Sequence, residues 1–293
     1  IDRLGKGIRT GARDALLSDE AEPSVKGKVF GFHRSMDTLG AAIGPALALL
    51  YLYYYPGDYI NLFYIAFIPG MLAIFATFLL KEKRKRVIKV QKRVSFFSSF
   101  TYWKSGPSSY RALVGGLIVF ALFNSSDVFI LLKAKESGMD DTMVIGAYIF
   151  YNLIYALAAY PMGIIADNIG LKKVFITGLF IFALVYFGLA YSENLYVYFT
   201  LFFLYGIYAA ATEGISKAWI SLITDKKNTA TALGTYSGFQ SISALLASTL
   251  TGFIWYGFGA TVAFLTTACV SVVVGLYFLI RIPDPKIINA DME

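Results

Sequence analysis

Apolar residues along this chain gather into eight runs of about twenty, set apart by short polar segments. An α-helix rises about 1.5 Å per residue, so about 20 apolar residues cross a hydrocarbon layer of about 30 Å with every backbone hydrogen bond closed inside the helix. The pattern therefore predicts an all-α integral membrane protein with eight transmembrane helices, at roughly 29–55, 59–80, 110–132, 142–166, 173–191, 195–223, 229–256 and 259–281. The polar segment before the first run opens on Ile1-Asp2-Arg3 and not on methionine, as expected of a chain that starts part-way, inside a loop. Its first twenty residues hold charges where a cleavable signal would need an apolar stretch, so insertion is expected to rely on the spans themselves.

Composition agrees: 57% of residues are hydrophobic, 15% are charged and 17% are aromatic, which suits a chain whose solvent is lipid and whose rings sit at the interfaces. The single cysteine, Cys269, rules out an intrachain disulfide and is expected to serve packing. If all eight runs cross, the segments 1–28, 81–109, 167–173, 224–228 and 281–293 share one side. Of the 26 Lys and Arg, all but Lys133 and Lys135 fall on or beside those segments. Positive charge accumulates inside, which makes that side cytoplasmic, places both ends of the chain there and predicts a cytoplasmic (inner) membrane protein. The run Lys81-Glu82-Lys83-Arg84-Lys85-Arg86 directly follows a span and reads as an inside anchor that meets anionic lipid headgroups, not as a nucleic-acid site.

The longest polar interval divides the chain into 1–80 with two spans, a basic linker at 81–109, and 110–293 with six. Arg13-Asp14-Ala15-Leu16-Leu17-Ser18-Asp19-Glu20 followed by Gly31-Phe32-His33-Arg34-Ser35 is similar to Trp219-Ile220-Ser221-Leu222-Ile223-Thr224-Asp225-Lys226 followed by Gly234-Thr235-Tyr236-Ser237-Gly238, an internal repeat at an offset of about 205 residues. In Pro161-Met162-Gly163-Ile164-Ile165-Ala166-Asp167-Asn168-Ile169-Gly170-Leu171-Lys172-Lys173, Gly163 and Gly170 permit a tight reversal. Asp167 there sits at a helix end, where it can meet the positive N-terminus of another helix, and Lys172 and Lys173 reach headgroups.

That loop resembles the G-x-x-x-D-x-x-G-R-K loop of the major facilitator superfamily, with Leu171 in the arginine's place, and the resemblance extends over essentially the whole chain. The superfamily has two six-helix halves joined by a basic cytoplasmic linker, so the resemblance implies that the spans are helices five to twelve. It makes 1–80 the remainder of an N-terminal half that lacks its first four helices, and 110–293 the C-terminal half. The opening run from Asp2 to Leu16 is similar to the D-R-x-G-K-G-x-R-x-x-P-R-D-A run of a bacterial branch, with Ala12 in the proline's place. The resemblance implies a cytoplasmic gate built from Arg9, Arg13, Asp14, Gly163, Asp167, Gly170, Lys172 and Lys173.

Polar groups inside spans are costly, and each asks for a partner or a function. Asn124-Ser125-Ser126-Asp127 breaks the third run, where unwinding would open backbone to a cavity; Asp127 either serves that cavity or caps the helix. Glu213 and Lys217, four residues apart, are expected to pair on one helix face, with Glu213 also placed to hold a proton or meet a substrate cation. Asn152 and Tyr155 share a stripe, as do Tyr236 and Gln240, and the two amides want partners. Arg34 and Asp37 are spaced for a local pair, and a lone His33 makes no metal site. Gly40, Gly44 and Pro45 suggest close helix packing and a kink.

Phosphate-cradling, metalloprotease and paired Cys-His motifs are missing from the sequence, so it predicts neither an enzyme nor a resident cofactor or metal. The reading is a secondary active transporter that moves a small-molecule substrate by alternating access, driven by a coupling ion, the proton, and expected to act as a monomer among membrane lipids. The alternative is a non-transporting scaffold or inactive fragment. The substrate or proton pathway is expected to use Asn124, Asp127, Asn152, Tyr155, Glu213, Lys217 and Gln240.

Overall fold

The computed structural model describes residues 2–79 and 98–284, with the side chains of 10–76, 78–79 and 102–284. Every regular element among the described residues is a helix: α1 (Asp2–Glu20), α2 (Lys26–Tyr54), α3 (Tyr59–Phe78), α4 (Ser98–Ser105), α5 (Ser108–Phe123), α6 (Val128–Glu136), α7 (Asp141–Ile169), α8 (Leu171–Tyr191), α9 (Leu195–Leu222), α10 (Thr229–Phe258) and α11 (Ala260–Arg281), with a single 3₁₀ turn at Pro23–Val25. Eight of the resulting segments are long and apolar enough to cross a membrane, α5 and α6 together making one. Most of the basic linker, including Lys81 to Arg86, lies outside the described residues.

The expected spans recur, but the opening segment is not a loop. Residues 2–20 form α1, which lies along α10 and touches α9 and α2. Its charges hide it from a search for apolar runs, yet Ala15 and Asp14 are buried and Gly11 rests 3.0 Å, as judged from an added Cβ, from the backbone of Gly234. One small-residue face is enough to dock a helix whose other face is polar.

The core belongs to α5 and α7–α11, where Tyr110, Phe182, Tyr186, Trp219, Phe264 and Phe278 are almost completely enclosed. These rings meet edge-on or tilted, as in Phe182–Tyr186 at 4.3 Å and Phe175–Phe278 at 5.1 Å between centroids. By contrast α3 buries none of its span and α2 little of its own, and Leu47, Tyr53, Phe63 and Phe67 stand exposed. Cys269, expected in packing, is exposed on α11. Between α2 and α3, Asp58 accepts from Asn61 Nδ2 and Tyr51 Oη, both at 2.8 Å, and these bonds, Asn61's first, hold its carboxyl below the usual range.

Close helix contact is made by different glycines from those expected. Gly40 and Gly44 face open space among the described residues. Instead Gly27 and Gly31 of α2 lie against Ala159 and Gly163 of α7: a Cβ at Gly31 would stand 2.5 Å from the Ala159 carbonyl oxygen, and one at Gly163 would run into the Gly27 carbonyl. Gly163 therefore has no part in the reversal after α7, which Gly170 alone makes at φ +107°.

Substitution separates the two glycine sets. Gly163→Ala is expected to cost about 1–3 kcal/mol of stability by overpacking. Gly40→Ala, which gains helix propensity in open space, is expected to be neutral or stabilising by up to about 1 kcal/mol. Thermal unfolding of the two purified variants checks this, and an unchanged midpoint for Gly163→Ala would refute the packing described.

Candidate functional site

The helix that starts at Ser108 stops at Phe123, because Asn124, Ser125, Ser126 and Asp127 compete with the helical backbone for hydrogen bonds. Asp127 holds the N-cap position of α6 but makes no capping bond. Its carboxylate turns inward and accepts from the hydroxyls of Tyr151 on α7 and of Tyr205 on α9, the latter at 2.6 Å. Asn124 donates from Nδ2 to the Tyr208 hydroxyl at 2.9 Å, and its Oδ1 is buried with no partner among the described residues.

These groups open onto a cavity of about 500 Å³ between α2, the α5–α6 break, α7, α9 and α10. Of the residues expected on a substrate or proton pathway, Asn124, Asp127, Asn152, Tyr155, Glu213 and Gln240 line it. Asn152 also donates to the Tyr148 carbonyl at 2.9 Å. Lys217 is not among the lining residues. Lining residues that the sequence did not single out for this role include Arg34, Asp37, Tyr151, Tyr205 and Tyr208. Tyr151 stands four positions before Tyr155, so the stripe of Asn152 and Tyr155 already pointed to it.

The charged side chains pair across helices. The expected Glu213–Lys217 pair on one face of α9 does not form. Glu213 takes Arg34 of α2, which also reaches Asp37 at 3.3 Å as expected, while Lys217 takes Asp14 of α1 at 2.6 Å. The exposures explain the difference. Asp14 and Lys217 side chains are 1% and 6% exposed, so each needs an opposite charge in direct contact, and α1 docks where it supplies one. Arg13 adds a second contact to Asp14 at 3.3 Å.

Beneath the cavity, the end of α7 is joined to the start of α2. The Asp167 carboxylate accepts from the backbone N–H groups of Gly27 and Lys28, each at 2.8 Å. These belong to the first turn of α2, whose N–H groups have no intrahelical acceptor and whose dipole favours an anion. A Cβ at Gly27 would stand 2.6 Å from Asp167 Oδ1, so the seat exists because residue 27 is glycine. Nearby, buried Lys26 donates at 3.0 Å to both Ser18 Oγ and the Ser221 carbonyl, and Ser35 donates to the Ala156 carbonyl. Lys172 does not simply reach outward: it donates to the Leu279 carbonyl in the last turn of α11 at 3.2 Å, while Lys173 is exposed. The side chain of Arg9 lies outside the described residues. Among the described residues, no three His, Cys, Asp or Glu side chains gather as metal ligands.

Comparison with known proteins gives this geometry a context. The family model for the Major Facilitator Superfamily matches residues 3–150 and 112–291. An uncharacterized MFS-type transporter of Methanocaldococcus jannaschii is 33% identical over 285 residues, covering 95% of this chain and 70% of that protein. The crystal structure of the human organic anion transporter MFSD10 (TETRAN) superposes with a TM-score of 0.67 at 16% identity, covering 92% of this chain and 67% of that one, a likeness of fold.

The buried pair supplies its own test. Asp14→Asn alone is expected to destabilise by about 3–5 kcal/mol, because Lys217 is left buried without its anion, and Asp14→Asn with Lys217→Met is expected to recover most of the loss. Unfolding of the two variants decides; additive losses would show that the two charges do not depend on each other.

Proposed function

Because the chain belongs to the Major Facilitator Superfamily, we propose that it is a secondary active transporter, moving a small solute across the cytoplasmic membrane by alternating access with protons as the coupling ion. The observation that carries this reading is the polar cavity of about 500 Å³, walled by α2 on one side and by α5, α7, α9 and α10 on the other, and shut beneath by contacts between those same two groups. On this reading residues 1–80 are the remainder of the N-terminal half, 81–109 the linker and 110–293 the C-terminal half. The basic end, with both chain ends, faces the cytoplasm, and the transporter works as a monomer.

The chemistry follows from which groups cross the interface. Arg34 of α2 is shared between Glu213 of α9 and Asp37 of its own helix. A proton on Glu213 neutralises the interhelix pair and leaves Arg34 to Asp37, so loading a proton loosens α2 from α9. Asp127 is the second proton site, held by two hydroxyls from α7 and α9 and by no ion-pair partner among the described residues. Opening the basic end then requires Asp167 to leave the first turn of α2 and Lys217 to part from Asp14. The first of these contacts is worth little enough to break and reform: a carboxylate at a helix N-terminus contributes about 0.3–2 kcal/mol.

Flux through liposomes containing the full-length protein tests the reading. Asp127→Asn and Glu213→Gln are each expected to abolish proton-driven movement of the solute while leaving the protein folded. An unchanged rate with an unchanged pH dependence would remove that carboxylate from the mechanism. An intact protein that moves no solute across a broad panel would favour the non-transporting scaffold.

A further inference from the structure

The charge in the cavity is unbalanced in a way that selects its occupant. Among the described residues that line it, one guanidinium, Arg34, faces three carboxylates, Asp37, Asp127 and Glu213. Arg34 is already engaged with Glu213 and Asp37, so among the described residues no cation is left for Asp127. A carboxylate has about four acceptor positions, and the hydroxyls of Tyr151 and Tyr205 fill one on each oxygen. Tyr155 and Ser125 also line the cavity, and these residues are only 7% and 5% exposed.

The wall around Asp127 is aromatic. Tyr148 meets Tyr151 at 5.4 Å between centroids, Tyr151 meets Tyr205 at 5.3 Å, and Tyr205 meets Tyr208 at 5.4 Å. A ring attracts a cation through its quadrupole, and does so best where water is thin. An organic anion would meet the excess carboxylates and find the single guanidinium taken.

We propose that the cavity binds an organic cation, anchored at Asp127 and enclosed by Tyr148, Tyr151, Tyr205 and Tyr208. This rests on the reading of the cavity as the solute site, and it sets this chain apart from the organic anion transporter whose fold it shares.

Two probes of the same shape and opposite charge, tetraphenylphosphonium and tetraphenylborate, are titrated by equilibrium dialysis against the full-length protein in zwitterionic lipid nanodiscs, with empty nanodiscs subtracted. Saturable phosphonium binding is expected, with no saturable borate binding. Asp127→Asn is expected to weaken phosphonium binding about tenfold or more, and Asp127→Glu to keep most of it. Saturable borate binding as tight as phosphonium binding, no saturable phosphonium binding, or indifference to Asp127→Asn in a variant that melts like the parent would overturn the proposal. Where Asp127→Asn does not fold, the parent's own choice between the two probes still decides. Flux of an anionic or neutral solute without phosphonium binding would keep the transport reading and remove this one; phosphonium binding without flux of any solute would do the reverse.

Discussion

The structure depends on a carboxylate seated on the open end of a helix. The first turn of α2 presents N–H groups that no intrahelical carbonyl can satisfy, and Asp167, at the far end of α7, takes two of them at 2.8 Å each. The contact is possible only because α2 and α7 come within backbone distance. That approach needs the hydrogen side chains of Gly27, Gly31 and Gly163, since a Cβ at any of them meets a carbonyl oxygen. Small residues let two helices close where lipid gives no hydrophobic drive between them, and the aspartate then fixes their register with a directional bond. α2 meets α9 directly where Gly214 lies against the backbone of Phe30, and from there Arg34 reaches Glu213.

Charge is placed by depth in the fold. Beneath the cavity, Asp14 and Lys217 are enclosed and paired, with Arg13 as a second cation on Asp14, an arrangement that holds α1 to α9. In the cavity, pairing is looser. Arg34 divides itself between two carboxylates and Asp127 relies on hydroxyls, so each of these groups can exchange partners without leaving a charge bare. The rigid pair suits a clasp and the divided one suits a site that takes up and releases a ligand.

Much of this was legible in the sequence. The spans follow from run length alone, and the helix break at Asn124 to Asp127 from four residues that prefer to bond their own backbone. The seat of Asp167 on a helix N-terminus could be anticipated from its place at a helix end, although not which helix it would meet. What failed did so for tertiary reasons. Glu213 and Lys217 sit at a spacing that favours pairing, yet partners 179 and 203 positions away in the chain took them. Charges that must be buried choose partners by three-dimensional proximity, and a local spacing rule worth about 0.2–0.5 kcal/mol does not hold them. Residues 2–20 were missed as a helix because their docking face is made of small residues and not of large apolar ones. Gly40 and Gly44 carry the same small-residue signal as Gly27 and Gly31, and only packing tells which pair meets a neighbour.

If the Asp167 carboxylate of α7, seated on the first turn of α2, keeps the basic end closed, distances between spin labels will report its release. In a Cys269→Ala background of the full-length protein, labels at the exposed positions Leu16 and Lys226 report the basic end, and labels at Tyr55 and Asp140 report the opposite end. Asp167→Ala is expected to lengthen the first distance and shorten the second. Distance distributions that stay the same at both ends after this substitution would contradict it.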